Sequence, residues 1–240
     1  MLATLQLSSR SSRGAMARIA AAERRQQLIE AAFRVMAREG VAAATTRAIA
    51  AEAGAPLASF HYCFRSKEEL LRELTPALVD RMLEGAVTQI EAGDDIRDTL
   101  RKSLHGMWSV TEATSSEQHV LYELTQYVLR NPGLEDLATW QYQRYFESGQ
   151  QYLQAISDAT GTEWTVPLPV ASRVLVSFID GMALGWVVDH NSAQARAALD
   201  AFADALASLT RPRLTDPAGR RSAADHTAND ARAPMAGRPS

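Results

Sequence analysis

A single cysteine, Cys63, is all the thiol chemistry in this chain of 240 residues. That excludes a disulfide within the chain and a cysteine-based zinc site, and it fits a reducing cytoplasm. Histidine is nearly as sparse: the five, at 61, 105, 119, 190 and 226, include no pair at helical metal-ligand spacing. A glycine-rich phosphate loop, a Gly-x-Ser-x-Gly elbow and a paired-carboxylate signature are all missing. Asp94-Asp95 reads as a helix start instead. An enzyme is therefore not expected, nor a metal or cofactor, although separate Ser, His and Asp residues can still meet in space. Strand-length alternation, hairpin signals and sequence repeats are absent too. The N-terminal apolar stretches are short and broken by Ser and Arg, so no secretory signal is expected. One long apolar run exists, Leu168 to Val188, with Arg173 and Asp180 near its middle. Two charges there are costly in lipid. The run reads as a fully buried helix of a cytoplasmic protein with no membrane partner.

The charge that is present is unevenly spread. Up to Lys67 there are ten Lys/Arg against four Asp/Glu; beyond it, fifteen against twenty-four. A basic head on an acidic body suits nucleic-acid binding. An arginine-rich tail without a role would give the same count. Hydrophobic residues, at 46 %, suffice for a large core.

Between two irregular ends the pattern is helical, and the fold class is all-α. Residues 1–20 read as a disordered basic arm with Arg10, Arg13 and Arg18, in which Met16 offers a second start. The tail over 211–240, rich in Pro, Ala, Arg, Asp and Gly, reads as disordered as well. Ile29, Ala32, Phe33 and Met36 mark one buried helix face, and Gly40 ends it. Thr45 or Thr46 caps a short second helix, and Gly54 breaks it. Pro56 opens a third, Leu57 to Cys63. Ser66-Lys67-Glu68-Glu69 is a capping box, so a fourth starts at Lys67. Further helices are expected over 96–110 and, after a second capping box at Thr114-Ser115-Ser116-Glu117, to Arg130. Asn131-Pro132 then separates off a long one ending at Gly161, with Tyr142, Tyr145, Phe146, Gly149, Tyr152, Leu153 and Ile156 on one face. The last two span Leu168–Asp189 and Ser192–Leu209.

Thr45 to Phe64 is two short helices joined by a tight glycine turn, with alanines at 48, 50, 51 and 53 for close packing. That is what a helix-turn-helix needs to present its second helix to a major groove. Thr45-Thr46-Arg47-Ala48-Ile49-Ala50, Ala53-Gly54, Ser59-Phe60-His61-Tyr62-Cys63-Phe64 and Ser66-Lys67-Glu68-Glu69-Leu70 together resemble the DNA-binding signature of the tetracycline-repressor (TetR/AcrR) family. The close resemblance covers about residues 22–72; beyond it, the likeness is in helix number and order. It implies a DNA-binding head over 21–72, a ligand-binding and dimerisation body over 73–210, and a regulator of transcription, more often a repressor released by a ligand than an activator. It also implies that Thr45, Thr46 and Arg47 approach a base or phosphate. Leu57, Ala58 and Ser59 open the recognition helix, and His61, Tyr62 and Lys67 reach phosphates. Phe60 and Phe64 hold that helix down. The chain departs from the family pattern at Pro56, Leu57 and His61, which keeps open a helical module that acts through a protein partner.

For the body the resemblance implies a homodimer built from the last two helices, with Val174, Phe178, Gly181, Gly185, Val188 and Phe202 at its interface; a purely internal role for the first of those helices is the alternative. Two recognition helices one turn apart would read a pseudo-palindromic operator in double-stranded DNA. A cavity for a hydrophobic or aromatic small molecule is expected among the middle helices, lined by His105, Trp108, Tyr122, Glu123, Tyr127, Trp140, Phe146, Phe178 and Met182. Ordinary core packing is the competing reading for each of them.

Protonated His61 would add a charge beside a phosphate. DNA affinity is therefore expected to rise as the pH is lowered from about 8 to about 5.5, the range in which histidine gains its charge; a flat binding profile excludes the contact.

Overall fold

A computed structural model describes the backbone of residues 2–87 and 95–214, and the side chains of 21–84 and 95–214. Among the described residues it consists of nine helices and one short ribbon. They are α1 Leu2–Glu39, α2 Thr46–Glu52, α3 Leu57–Cys63, α4 Lys67–Val87, α5 Ile96–Ala113, α6 Ser115–Arg130, α7 Glu135–Thr160, β1 Thr162–Trp164, α8 Leu168–Asp189, α9 Ser192–Ala207 and β2 Thr210–Pro212. The all-α expectation holds. The arm expected to be irregular continues α1 back to Leu2; its side chains, and the tail from residue 215, lie outside the described residues, as does Asp94.

Local chemistry explains most boundaries. Gly40, at φ +87°, reverses the chain after α1, and its amide donates to the Met36 carbonyl at 2.9 Å. Thr45 caps α2 by accepting from the Ala48 amide at 3.2 Å. At the start of α4, Ser66 Oγ accepts from the Glu69 amide at 3.3 Å, and Glu69 reaches back to the Arg65 amide at 2.8 Å. Asp95 caps α5 through the Asp98 amide at 2.9 Å. The second expected capping box does not form. Thr114 instead turns its hydroxyl back to the Val110 carbonyl at 2.9 Å, and α5 runs three residues past its expected end to Ala113. Pro76 lies inside α4 and removes one ladder hydrogen bond from its middle.

Two apolar cores divide the molecule. One joins α1–α4 to α6 and the start of α7, with Leu28, Met36, Ile49, Phe60, Phe64 and Leu74 against Val120, Leu124, Val128 and Leu137. The other joins α5, α7, α8 and α9 around Leu100, Leu104, Trp108, Leu153, Leu199 and Leu206. The short ribbon, which the sequence pattern did not anticipate, closes the second core. β1 pairs antiparallel with β2, Glu163 facing Arg211, and Arg213 reaches Asp158 on α7 at 2.8 Å.

The α8 helix is long and apolar enough to cross a membrane by length and composition alone, yet only 22 % of its apolar window is buried. The expectation of a fully buried helix is corrected. Val170, Val174, Leu184 and Val188 are exposed, along with Gly181 and Gly185 between them. The opposite face packs on α7, where Gly149 lets the two helices approach. A Cβ at Gly149 would lie 2.6 Å from Ser172 Oγ and 3.4 Å from Val176 Cγ2. Ser172 is fully buried and donates to the Phe146 carbonyl at 2.6 Å, so it has little freedom to move aside. Gly149→Ala is therefore expected to lower stability by ~1–3 kcal/mol through overpacking, read as a lower thermal midpoint; an unchanged midpoint would show that the α7–α8 contact can open without cost.

Candidate nucleic-acid interface and effector cavity

The recognition helix α3 is anchored on one side and open on the other. Phe60 and Phe64 are fully buried, with ring centroids 5.7 Å apart, and hold it against the head core. Ala58 and His61 are exposed, and Tyr62 is 81 % exposed. His61 stands edge-on to Phe60 at 5.6 Å. Leu57 differs from its fellows at the start of the helix: it is half-buried and packs against the head core. Ser59 is half-buried as well, and its amide donates to the Pro56 carbonyl at 2.8 Å. On α2, Thr45 and Arg47 are exposed and Thr46 is partly so.

Lys67 departs from its expected place at a phosphate. Its ammonium donates to the Val41 carbonyl at 2.6 Å and lies 4.6 Å from the centre of the Tyr127 ring. Burial pushes its pKa below the ordinary lysine value, against the opposing pull of Glu68 and Glu123. It ties α4 to the end of α1 rather than facing solvent.

The C-terminus of α3 is fixed by Arg25 of α1. Its Nε donates to Glu73 at 2.8 Å, its Nη2 lies 3.2 Å from Glu69, and another nitrogen bonds the Cys63 carbonyl. The guanidinium also sits 4.2 Å over the Phe64 ring. The Glu73 hydrogen bond foremost raises the Arg25 pKa; desolvation opposes it, and Glu69 adds a lesser upward pull. Glu69 in turn is held below the usual carboxylate range, first by the Arg65 amide and also by Arg25.

The head is joined to the body at a second point. Glu123 of α6 accepts from the Val41 amide at 2.6 Å. A Cβ on Gly40 would crowd the same carboxylate at 3.0 Å, in addition to the strain of the positive φ there.

The cavity lies between α4, α5, α6, α7 and α8 and encloses about 940 Å³ of non-atom space, part of it open to solvent. Met82, Met107, Leu121 and Ile179 give it apolar walls, and Tyr122, Tyr142, Tyr145 and Tyr152 add aromatic ones. Its polar groups are linked. Tyr142 donates to Asp180 Oδ2 at 2.6 Å, and Tyr122 donates to the Asp180 carbonyl at 2.8 Å. Gln141 donates to the Tyr145 hydroxyl at 2.9 Å and lies within hydrogen-bond reach of Thr125 at 3.2 Å.

Of the nine residues expected to contact a ligand, only Tyr122 lines this cavity. His105 pairs with Asp200 across α5 and α9 at 2.9 Å. Trp108 is fully buried and donates to Glu112 at 2.9 Å. Glu123 holds Val41, and Tyr127 and Trp140 pack against the head core. Phe146 lies under the Arg173 guanidinium at 4.6 Å, Met182 packs into the second core, and Phe178 stacks on Phe202 at 3.7 Å. That stack also corrects the expected interface, because Phe202 is buried within its own chain and Phe178 is half-covered. Aromatic size does not mark the lining; the cavity selects the α7 face whose period brings 141, 142, 145, 148, 149 and 152 together, and Asp180, a charge in an apolar run, joins it from α8.

Two family models match the chain. One, described as bacterial regulatory proteins of the tetR family, covers residues 28–74; the other, the C-terminal part of BetI-type transcriptional repressors, covers 96–211. The chain is 30 % identical over 190 residues to the HTH-type nicotine-responsive transcriptional repressor HdnoR of Paenarthrobacter nicotinovorans, covering 78 % of this chain and 96 % of that one. It is 27 % identical over 165 residues to the HTH-type transcriptional regulator BetI of Stenotrophomonas maltophilia, covering 67 % and 80 %. Among solved structures it superimposes on a transcriptional regulator from Rhodococcus sp. Rha1 with a TM-score of 0.61 at 22 % identity, covering 76 % and 95 %.

Arg25→Met removes a cation shared by two carboxylates and a helix-end carbonyl while keeping much of the apolar stem. It is expected to lower the thermal midpoint and weaken DNA binding together. In the unaltered protein, Glu69 is held below its unfolded value, so its contribution is present above that value and lost as the pH falls through the folded one. The acid limb of the stability profile should therefore flatten in Arg25→Met; identical acid limbs would show that Arg25 does not hold Glu69.

Proposed function

The chain belongs to the TetR family of bacterial regulatory proteins and is a DNA-binding regulator of transcription; from that premise we propose that it is a cytosolic, dimeric repressor released from its operator by a small, largely apolar molecule held in the cavity. The proposed division of labour is a DNA-reading head over 21–72 and an effector-binding and dimerising body over 73–210. Catalysis has no part in it.

The observation that carries this reading is the polarity of α3. A tyrosine 81 % exposed on a helix whose phenylalanines are fully buried has no internal task. It suits a surface that meets phosphates. We assign Tyr62 and His61 to the backbone of double-stranded DNA, and Thr45, Thr46, Arg47, Ala58 and Ser59 to the groove edge. Arg47 makes no ion pair among the described residues, which leaves its guanidinium available to guanine or phosphate. Leu57 contributes at most its outer edge. The repressor sign and the response to a small molecule are supported by the relative named as a nicotine-responsive repressor.

Dimerisation is supported by the uncovered stripe on α8. Val174, Gly181, Gly185 and Val188 recur at helical spacing with Val170 and Leu184, and the alanines at 193, 197, 201 and 205 expose a matching small-residue stripe on α9. A second copy would cover both and set two recognition helices about 34 Å apart on a pseudo-palindrome.

The test is titration onto labelled DNA from upstream of the protein's own gene, at several salt concentrations. Binding should steepen as salt falls, and Arg47→Ala and Tyr62→Ala should each weaken it about tenfold. Val188→Glu should sediment as a monomer and lose the tight mode. No binding above the non-specific level on that DNA or on genomic fragments would replace this reading with a protein-interaction module.

A further inference from the structure

The cavity carries charge of one sign only. Among its described lining residues Asp180 is the sole carboxylate, and there is no Lys, Arg or His. Asp180 Oδ2 accepts from Tyr142, the Tyr122 hydroxyl also reaches the carboxylate, and among the described residues no cation pairs with the group. Arg173, whose charge is felt at Tyr142, is exposed, stacks over Phe146 and lies outside the lining.

Around this carboxylate the walls are aromatic. Tyr142 and Tyr145 have centroids 5.5 Å apart and planes at 66°, which makes a corner rather than a flat wall. Tyr122 is tied to the Asp180 carbonyl, so its ring is held at the same point of α8. Burial first, and then the negative charge of Asp180, keep the Tyr122 and Tyr142 hydroxyls protonated. Tyrosine faces attract cations through the ring quadrupole, more strongly where water is excluded. A partly buried carboxylate with no paired cation adds a counter-charge. Met82, Met107, Leu121 and Ile179 add apolar wall, and the other polar lining groups, among them Gln118, Thr125, Gln141 and Ser148, are neutral.

We infer that the effector is an organic cation, a single ammonium group on an apolar body, with its charge neutralised by Asp180 and its head set among Tyr122, Tyr142 and Tyr145. An anion would face Asp180 with no cation to offset it, and a neutral body would leave the carboxylate charge unpaired. This rests on the reading of the cavity as the effector site, and it sharpens that reading from an apolar molecule to a charged one.

The probes are phenylalkyl compounds of one to six methylenes carrying three alternative heads: trimethylammonium, hydroxyl and carboxylate. Calorimetric titration of the full chain without DNA reads binding alone. The ammonium member should bind at least about tenfold tighter than the alcohol or carboxylate of equal length, a difference of ~1.4 kcal/mol. Asp180→Asn keeps an acceptor for Tyr142 and should erase that preference while leaving the alcohol's affinity within about twofold. Equal affinity for the three heads, binding by none of them, or an equal loss for ammonium and alcohol in Asp180→Asn overturns the inference; the last result would make Asp180 a tether for Tyr142 only. Selectivity in the unaltered chain decides the matter even if the variant does not fold. DNA release is scored separately. An ammonium compound that binds without releasing DNA overturns the release reading and leaves this one standing, and release by the alcohol or carboxylate alone does the reverse.

Discussion

Everything in this molecule depends on α6 being buried on two sides at once. Val120, Leu124 and Val128 complete the core of the head, while Leu121, Tyr122 and Thr125 line the cavity. The two sets interleave along one helix, so neither face can be repacked without shifting the other. The same helix carries Glu123 to the Val41 amide and Tyr127 to the Lys67 ammonium. A regulator of this kind requires that two sites bias one discrete element. The α6 helix is placed for that role, because its contacts to the head and to the cavity are a residue apart.

Most of the fold was legible in the sequence because helix ends advertise themselves. Gly40, Thr45, Ser66 and Gly161 each stop or start a helix by a local hydrogen bond or a left-handed turn, and those signals need no tertiary context. The Thr114 box failed because a threonine hydroxyl can equally return to the carbonyl four residues back, and it does so at Val110. The three-residue ribbon was beyond reach, since two residues of alternation carry no period. Lys67 misled in a similar way. Its place in a helix-start motif says where its backbone is, while the direction of a long side chain depends on a carbonyl and a ring far away in sequence.

The cavity was the least legible part. Large aromatic residues such as Trp108 and Phe178 satisfy the same composition rule whether they fill a core or wall a hollow. What separates them is register. On α7 the residues spaced three and four apart from Gln141 to Tyr152 face inward together, but Phe146, one step from Tyr145, does not line the cavity. A single carboxylate in an apolar helix marks the cavity too, since a charge in such surroundings needs polar partners, and Asp180 finds them in Tyr142 and Tyr122.

The ribbon that was invisible in sequence has a mechanical consequence. By pairing β1 with β2, and Arg213 with Asp158, it pins the ends of α7 and α9 to each other. The α7–α8 contact, close where Gly149 meets Ser172, lies in the same part of the body. The body therefore closes on itself at its far end through paired backbone and one ion pair, so α9 cannot part from α7 there without first breaking both.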